Sequence, residues 1–124
     1  MISSDFRQLI IWQKAMDLTI EVYSLVKCLP KEEPFSYSLL YDIRRASVTI
    51  LSNIAWSRER NSNIDFVWSC TIVARCSLWE LSTLIETGER LNYIETSRTE
   101  NAKALITEIS KMIKSFSDTL MAEN

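Results

Sequence analysis

The sequence predicts an all-α protein, an up-down-up-down antiparallel four-helix bundle, on three observations. Its 124 residues include one glycine and two prolines, too few for the turns a sheet protein consumes. Apolar residues recur at steps of three and four through four separate stretches, the spacing of one helical face. Only short turn-like segments part those stretches, and short links favour antiparallel neighbours. A chain of this length builds one core, so a single domain is expected over 1–124.

The first helix is expected over 9–29, with a seam of Ile11, Ala15, Leu18, Val22, Leu25 and Leu29. Pro30 and Pro34 close it, because proline lacks the N–H that continues a helix. The second helix, over 37–58, carries Leu39, Ile43, Ala46 and Ile50 inward. Asn61 and Ser62 follow as loop and N-cap residues, and Ser62 with Asp65 resembles a capping box with a shortened acid. A third helix over 63–90 sets Phe66, Cys70, Val73, Ser77, Leu84 and Leu91 on one side, and "RLNYIETS" makes the next turn. Ser97 and Glu100 fit a capping box better. They open a fourth helix over 97–121, with Leu105, Ile109, Met112, Phe116 and Leu120 inward.

A hydrophobic content of 47 % with 24 % charged residues is that of a globular chain. The net charge of -2 argues against coating nucleic acid by bulk electrostatics, though a local basic patch is compatible with it. Histidine is absent, which removes imidazole as base, nucleophile partner or metal ligand. A di-iron bundle would need Glu-x-x-His pairs. Cys28, Cys70 and Cys76 form no C-x-x-C pair, and their odd number gives no disulfide framework. The lone Gly88 supplies neither a phosphate loop nor an oxyanion turn. The expectation is therefore a protein with no catalytic residues, no metal and no cofactor, in a reduced cytoplasmic setting. The N-terminus does not read as a secretory signal and no 18-residue apolar run exists, so no membrane partner is expected.

Read at about 100° per residue, "IRRASVTILSNIAWSRERNS" at 43–62 is apolar on two sides. Leu40, Val48, Leu51 and Ala55 fall on a second stripe, with Arg44 among them. The first helix does the same with Trp12, Met16, Thr19, Tyr23 and Val26. The third carries Trp68, Ile72 and Trp79 away from its core, with Arg75 between them. The fourth has one apolar side, its outer face holding Lys103, Thr107, Lys111, Lys114 and Asp118. Soluble monomers rarely expose patches of that extent. A second copy is expected to cover them, with Leu40, Arg44, Val48, Leu51, Trp68, Ile72 and Trp79 as candidate interface residues.

Between residues 40 and 79 the five arginines 44, 45, 58, 60 and 75 outnumber Asp42, Glu59 and Asp65. Arg45, Arg58, Arg60 and Arg75 are candidate nucleic-acid contacts, since guanidinium forks match phosphate oxygens. Ion pairing inside the bundle or between subunits is the competing role. From Glu80 onward eight carboxylates face five cations, so binding to RNA or DNA should be weak and salt-dependent. Asn53 lies near the core side of its helix, where a buried amide can fix register. Trp68 and Trp79 have faces on which bases can stack, but aromatic stripes on bundle helices more often serve packing.

"LIIWQKAMDLTIEVYSLVKCLPKEEPFSYSLLYDIRRASVTILSNIA", "SLWELSTLI", "RLNYI" and "EISKMI" together resemble the four-helix-bundle family first noted as reading frames inside intervening sequences of bacterial large-subunit rRNA. The resemblance runs from about Phe6 to Leu120. Its most specific pieces are "WQKAMDL" at 12–18, "IRRASVTI..SNIA" at 43–55 and "RLNYI" at 90–94. It implies a homo-oligomer, typically a five-membered ring, without known catalytic activity. A related fold serves as the accessory protein of diversity-generating retroelements, which implies a reverse transcriptase and nucleic acid as alternative partners. The chain departs from the pattern at three places. Leu51 stands at a usual proline, Trp56 and Ser57 at a usual Glu-Gly, and one residue more than usual separates "DF" at 65–66 from "RCS" at 75–77.

Overall fold

The computed structural model describes residues 5–60 and 62–122. It is an all-α four-helix bundle, without a strand among the described residues. The first rod is α1 (Ile10–Val26) and the second α2 (Pro34–Arg60). The third is continuous from α3 (Asn63–Val67) through a π-helical turn (Trp68–Ala74) into α4 (Arg75–Arg90). The fourth is α5 (Glu100–Ala122). Short 3-10 turns at Phe6–Gln8 and Thr96–Arg98 lead into α1 and α5.

The rods begin and end where side-chain chemistry allows. Pro34 opens α2 from its first position, where a missing N–H costs nothing, so the helix starts earlier than the expected 37. It runs unbroken through Leu51, with no proline to kink it. Ser62 caps α3 by accepting the Asp65 N–H at 3.4 Å, while Asn61 lies outside the described residues. The box expected at Ser97 and Glu100 does not form. Ser97 is held exposed in the 3-10 turn, and the fully buried Thr99 precedes the helix instead, its carbonyl accepting the Lys103 N–H at 3.0 Å.

Gly88 and Asn92 shape the turn after α4. Ile94 folds back so closely that a β-carbon on Gly88 would lie 2.7 Å from its Cδ1. The reversal is made by Asn92 at φ 62°, a left-handed conformation that asparagine tolerates better than most residues.

The inward seams of α1 and α2 lie where the sequence puts them, with Ile54 extending the second. Those of the third and fourth rods are rotated. Phe66 and Cys70 are buried, but beyond them the core residues are Ala74, Leu78, Leu81, Ile85 and Gly88, each one place later than a straight α-helix requires. Val73, Ser77 and Leu84 are only half-buried and Leu91 is exposed. The π-helical turn is the physical reason. The Arg75 N–H reaches back to the Cys70 carbonyl, an i→i−5 bond that fits one additional residue into a turn. It absorbs the residue by which "DF" and "RCS" are set apart and returns α4 to the core. In α5 the seam is Ala102, Ile106, Ile109, Ile113 and Ser117, with Leu105, Met112 and Leu120 at its edge and Phe116 43 % exposed.

Polar contacts pin the rods together. Lys14 pairs with Glu108 at 3.3 Å and Arg45 with Glu80 at 2.6 Å. Thr71 bonds Ser117, and Glu89 bonds Lys103, so the third rod and α5 run antiparallel.

The π-helical turn yields a test. Deleting the exposed Ile72 should convert it to an α-turn with both halves still in phase, for less than about 2 kcal/mol in thermal or urea unfolding. Deleting Thr83 should rotate Ile85 and Gly88 about 100° out of the core and cost over about 4 kcal/mol. Equal losses would show that the turn does not set the register.

Candidate functional site

Three exposed features of the bundle carry the candidate residues. The first is a line on α2. Tyr37, Tyr41, Arg44, Val48, Leu51 and Ala55 step by four and three, a heptad seam separate from the core seam of the same helix. Tyr37 and Tyr41 are each 65 % exposed and Val48 is exposed, whereas Leu51 and Ala55 are half-buried. The Arg44 guanidinium lies 5.1 Å from the centre of the Tyr23 ring, which sets this line beside α1. Leu40 packs against the core margin. The second stripe of α1 is largely used within the subunit, where Val26 is buried and Trp12 packs edge-on to Phe6 at 5.3 Å.

The second feature is the outer side of the third rod, where Ile72 and Trp79 are exposed. Arg75, between them, has its Nε buried without a hydrogen-bond partner. Trp79 overhangs a groove toward α5, with Lys103, Thr107 and Lys111 on the far wall.

The third is a cleft of about 430 Å³ between α2 and the π-helical turn, lined by Ser52, Asn53, Trp56, Trp68, Ser69 and Val73. The structure thus separates Trp68 from Trp79, which the sequence set on one stripe. Trp68 shares its cleft with Trp56, and the two indoles remain 60 % and 48 % exposed. Asn53 donates its amide to the Thr49 carbonyl of its own helix at 2.8 Å and lines this cleft.

The arginines divide likewise. Arg45 is tied to Glu80, and Arg60 to Asp65 at 3.2 Å while lying 5.5 Å from the Trp56 ring. Such exposed pairs contribute about 0–1 kcal/mol each, so both guanidiniums can exchange partners. Arg58 is half-buried near the end of α2.

Elsewhere the polar groups are tied up or scattered. Burial pushes the Cys70 thiol up to about 11, against a smaller opposing effect of its contact with Ser57 at 3.6 Å, so it is not a nucleophile at neutral pH. Cys28 is exposed beside Arg98, whose Nη1 lies 2.8 Å from its sulfur. Among the described residues no three acids or cysteines converge as a metal site, and no helix is long and apolar enough to cross a membrane. At the α4–α5 turn, Glu89 takes Lys103 at 2.8 Å and the Thr99 hydroxyl at 3.2 Å. The lysine hydrogen bond holds its carboxyl below the usual range, against a smaller opposing effect of burial.

Tyr37, Tyr41 and Trp56 are surface residues that the sequence reading passed over as candidates. The two tyrosines were legible as the N-terminal continuation of the 44–48–51–55 spacing. Trp56 gains meaning only from its neighbour across the cleft.

Fold and surface together define an all-helical bundle protein with exposed apolar lines on two rods. The chain belongs to the 23S rRNA-intervening sequence protein family, whose model matches residues 7–115. No curated protein matches the chain.

The Glu89 cluster gives a pH dependence. A carboxylate with a depressed folded pKa stabilises above its unfolded value of about 4.3, and that contribution is lost as pH falls through the lower folded value. The wild type should therefore melt above Glu89→Gln at pH 7, with the gap closing below about pH 4. A gap independent of pH would assign the effect to packing.

Proposed function

We propose that this protein acts as a non-enzymatic structural or adaptor subunit that assembles with copies of itself, five to a ring as the family resemblance implies. The observation that carries this reading is the heptad line from Tyr37 to Ala55, a second helix-docking seam left open on a helix whose first seam is already buried. The Ile72–Trp79 line gives a different surface on a different rod. Two unlike surfaces suit head-to-tail contacts, which close into rings, whereas a two-fold dimer pairs one surface with itself. Arg44, Val48, Leu51, Ile72 and Trp79 are the residues assigned to this contact, with Leu40 at its margin.

A second reading is a nucleic-acid-binding accessory, with a reverse transcriptase as the partner the resemblance implies. The family's name refers to rRNA, and Arg45, Arg58 and Arg60 lie on one flank of α2 or near its end. Arg45 and Arg60 are paired with Glu80 and Asp65 at the surface, and exposed pairs of this kind are weak enough for phosphates to displace the carboxylates.

Light scattering decides the first reading. A mass near five times 14.4 kDa is the expected outcome, and a monodisperse mass near 14.4 kDa at micromolar concentration would overturn it. Val48→Asp should dissociate the assembly with helical circular dichroism intact, through a cost of about 2–4 kcal/mol per buried site. Loss of the fold instead would return Val48 to the intrasubunit core.

A further inference from the structure

We propose that the cleft between α2 and the π-helical turn is a stacking site for a base of single-stranded nucleic acid. This rests on the nucleic-acid reading above and gives it a location. In an α-helix, residues five apart point about 140° away from each other. An i→i+5 turn brings them toward one side. Trp68 and Val73 are five apart in the π-helical turn, and both line the cleft. The inserted turn therefore builds one wall of the site as well as keeping register. Trp56 on α2 supplies a second aromatic lining residue. Two of the three departures of this chain from the family pattern, the additional residue before "RCS" and the tryptophan at 56, meet at this one place.

The chemistry suits a flat ring with a polar edge. Two half-exposed indoles offer π-faces, on which any base can stack. Ser52, Ser69 and the amide of Asn53 are the polar lining, and Asn53 spends one donor on its own helix, which leaves its carbonyl as an acceptor. Arg60 sits by the Trp56 ring near one end of the cleft, while Arg45 lies further up the same helix. A cation beside the aromatic lining, with a second one further up the same helix, suits a polyanion better than a neutral sugar or a proline-rich peptide. The phosphates would compete with Asp65 and Glu80 for these two guanidiniums, so binding should weaken steeply with salt.

The test is fluorescence anisotropy with a labelled ten-nucleotide oligo-dT, at about 50 mM and about 200 mM KCl, where counterion release separates phosphate contacts from stacking. Trp56→Ala and Trp68→Ala should each weaken binding about tenfold or more, while Phe35→Ala, at an exposed ring near the start of α2 and outside the cleft, stays within about twofold. An abasic strand with the same number of phosphates should bind the wild type no better than oligo-dT binds Trp56→Ala. Circular dichroism and light scattering on each variant keep folding and assembly apart from binding. If Trp68→Ala fails to fold, Trp68→Phe, which keeps a ring for stacking, should retain most of the affinity, and Trp56→Ala alone carries the test. Equal binding of the abasic strand, or losses only in Arg58→Glu and Arg60→Glu, would overturn the cleft and leave the nucleic-acid reading standing. Absence of binding at low salt, or tryptophan quenching by an oligosaccharide or polyproline peptide alone, would overturn both.

Discussion

Every part of this bundle depends on each helix keeping one uninterrupted apolar seam against the other three. The third rod meets that requirement only by widening one turn, because its sequence is one residue too long for a straight α-helix between Phe66 and Arg75. A rotation of about 100° there would expose Leu78, Leu81 and Ile85, each worth about 1.5–3 kcal/mol when fully buried. A single π-helical turn is cheaper, since it keeps the backbone hydrogen-bonded and returns α4 to the core. The consequence is a widened turn facing α2.

The surface follows from what the core leaves over. α2 is long enough at Pro34–Arg60 to carry two seams, one buried and one open, because the core needs only about a third of a helix's circumference. α5 carries one, and its outer face is charged. This asymmetry gives the bundle sides that differ in chemistry: a tyrosine-rich line beside α1, a tryptophan cleft beside α2, and a lysine-walled groove between the third rod and α5. A molecule with unlike sides has the means to contact a copy of itself and another partner at once.

Polar chemistry in the interior is confined to holding helices in place. The Ser57 hydroxyl bonds the Ile54 carbonyl at 2.7 Å and touches the Cys70 thiol, which burial keeps protonated. Glu89, Thr99 and Lys103 tie the end of α4 to the start of α5. These groups are committed to one another.

The all-α class, the four rods and the core seams of α1 and α2 were determined by the sequence alone. Local spacing suffices wherever a helix is regular, because a period of 3.6 residues converts residue number into direction. The second stripe of α2 was readable for the same reason, and so were Val48 and Arg44 on it. Beyond Cys70 that conversion fails. The additional residue between "DF" and "RCS" marks the place, but nothing in "WSCTIVA" says how it is absorbed, and only the demand that Ala74, Leu78 and Ile85 reach the core selects a π-helical turn. The tertiary structure likewise decided that Thr99 and not Ser97 leads into α5, because burial against Glu89 competes with local capping. It also set Trp68 beside Trp56 and apart from Trp79, since a cleft between two helices is a relation between residues far apart in the chain.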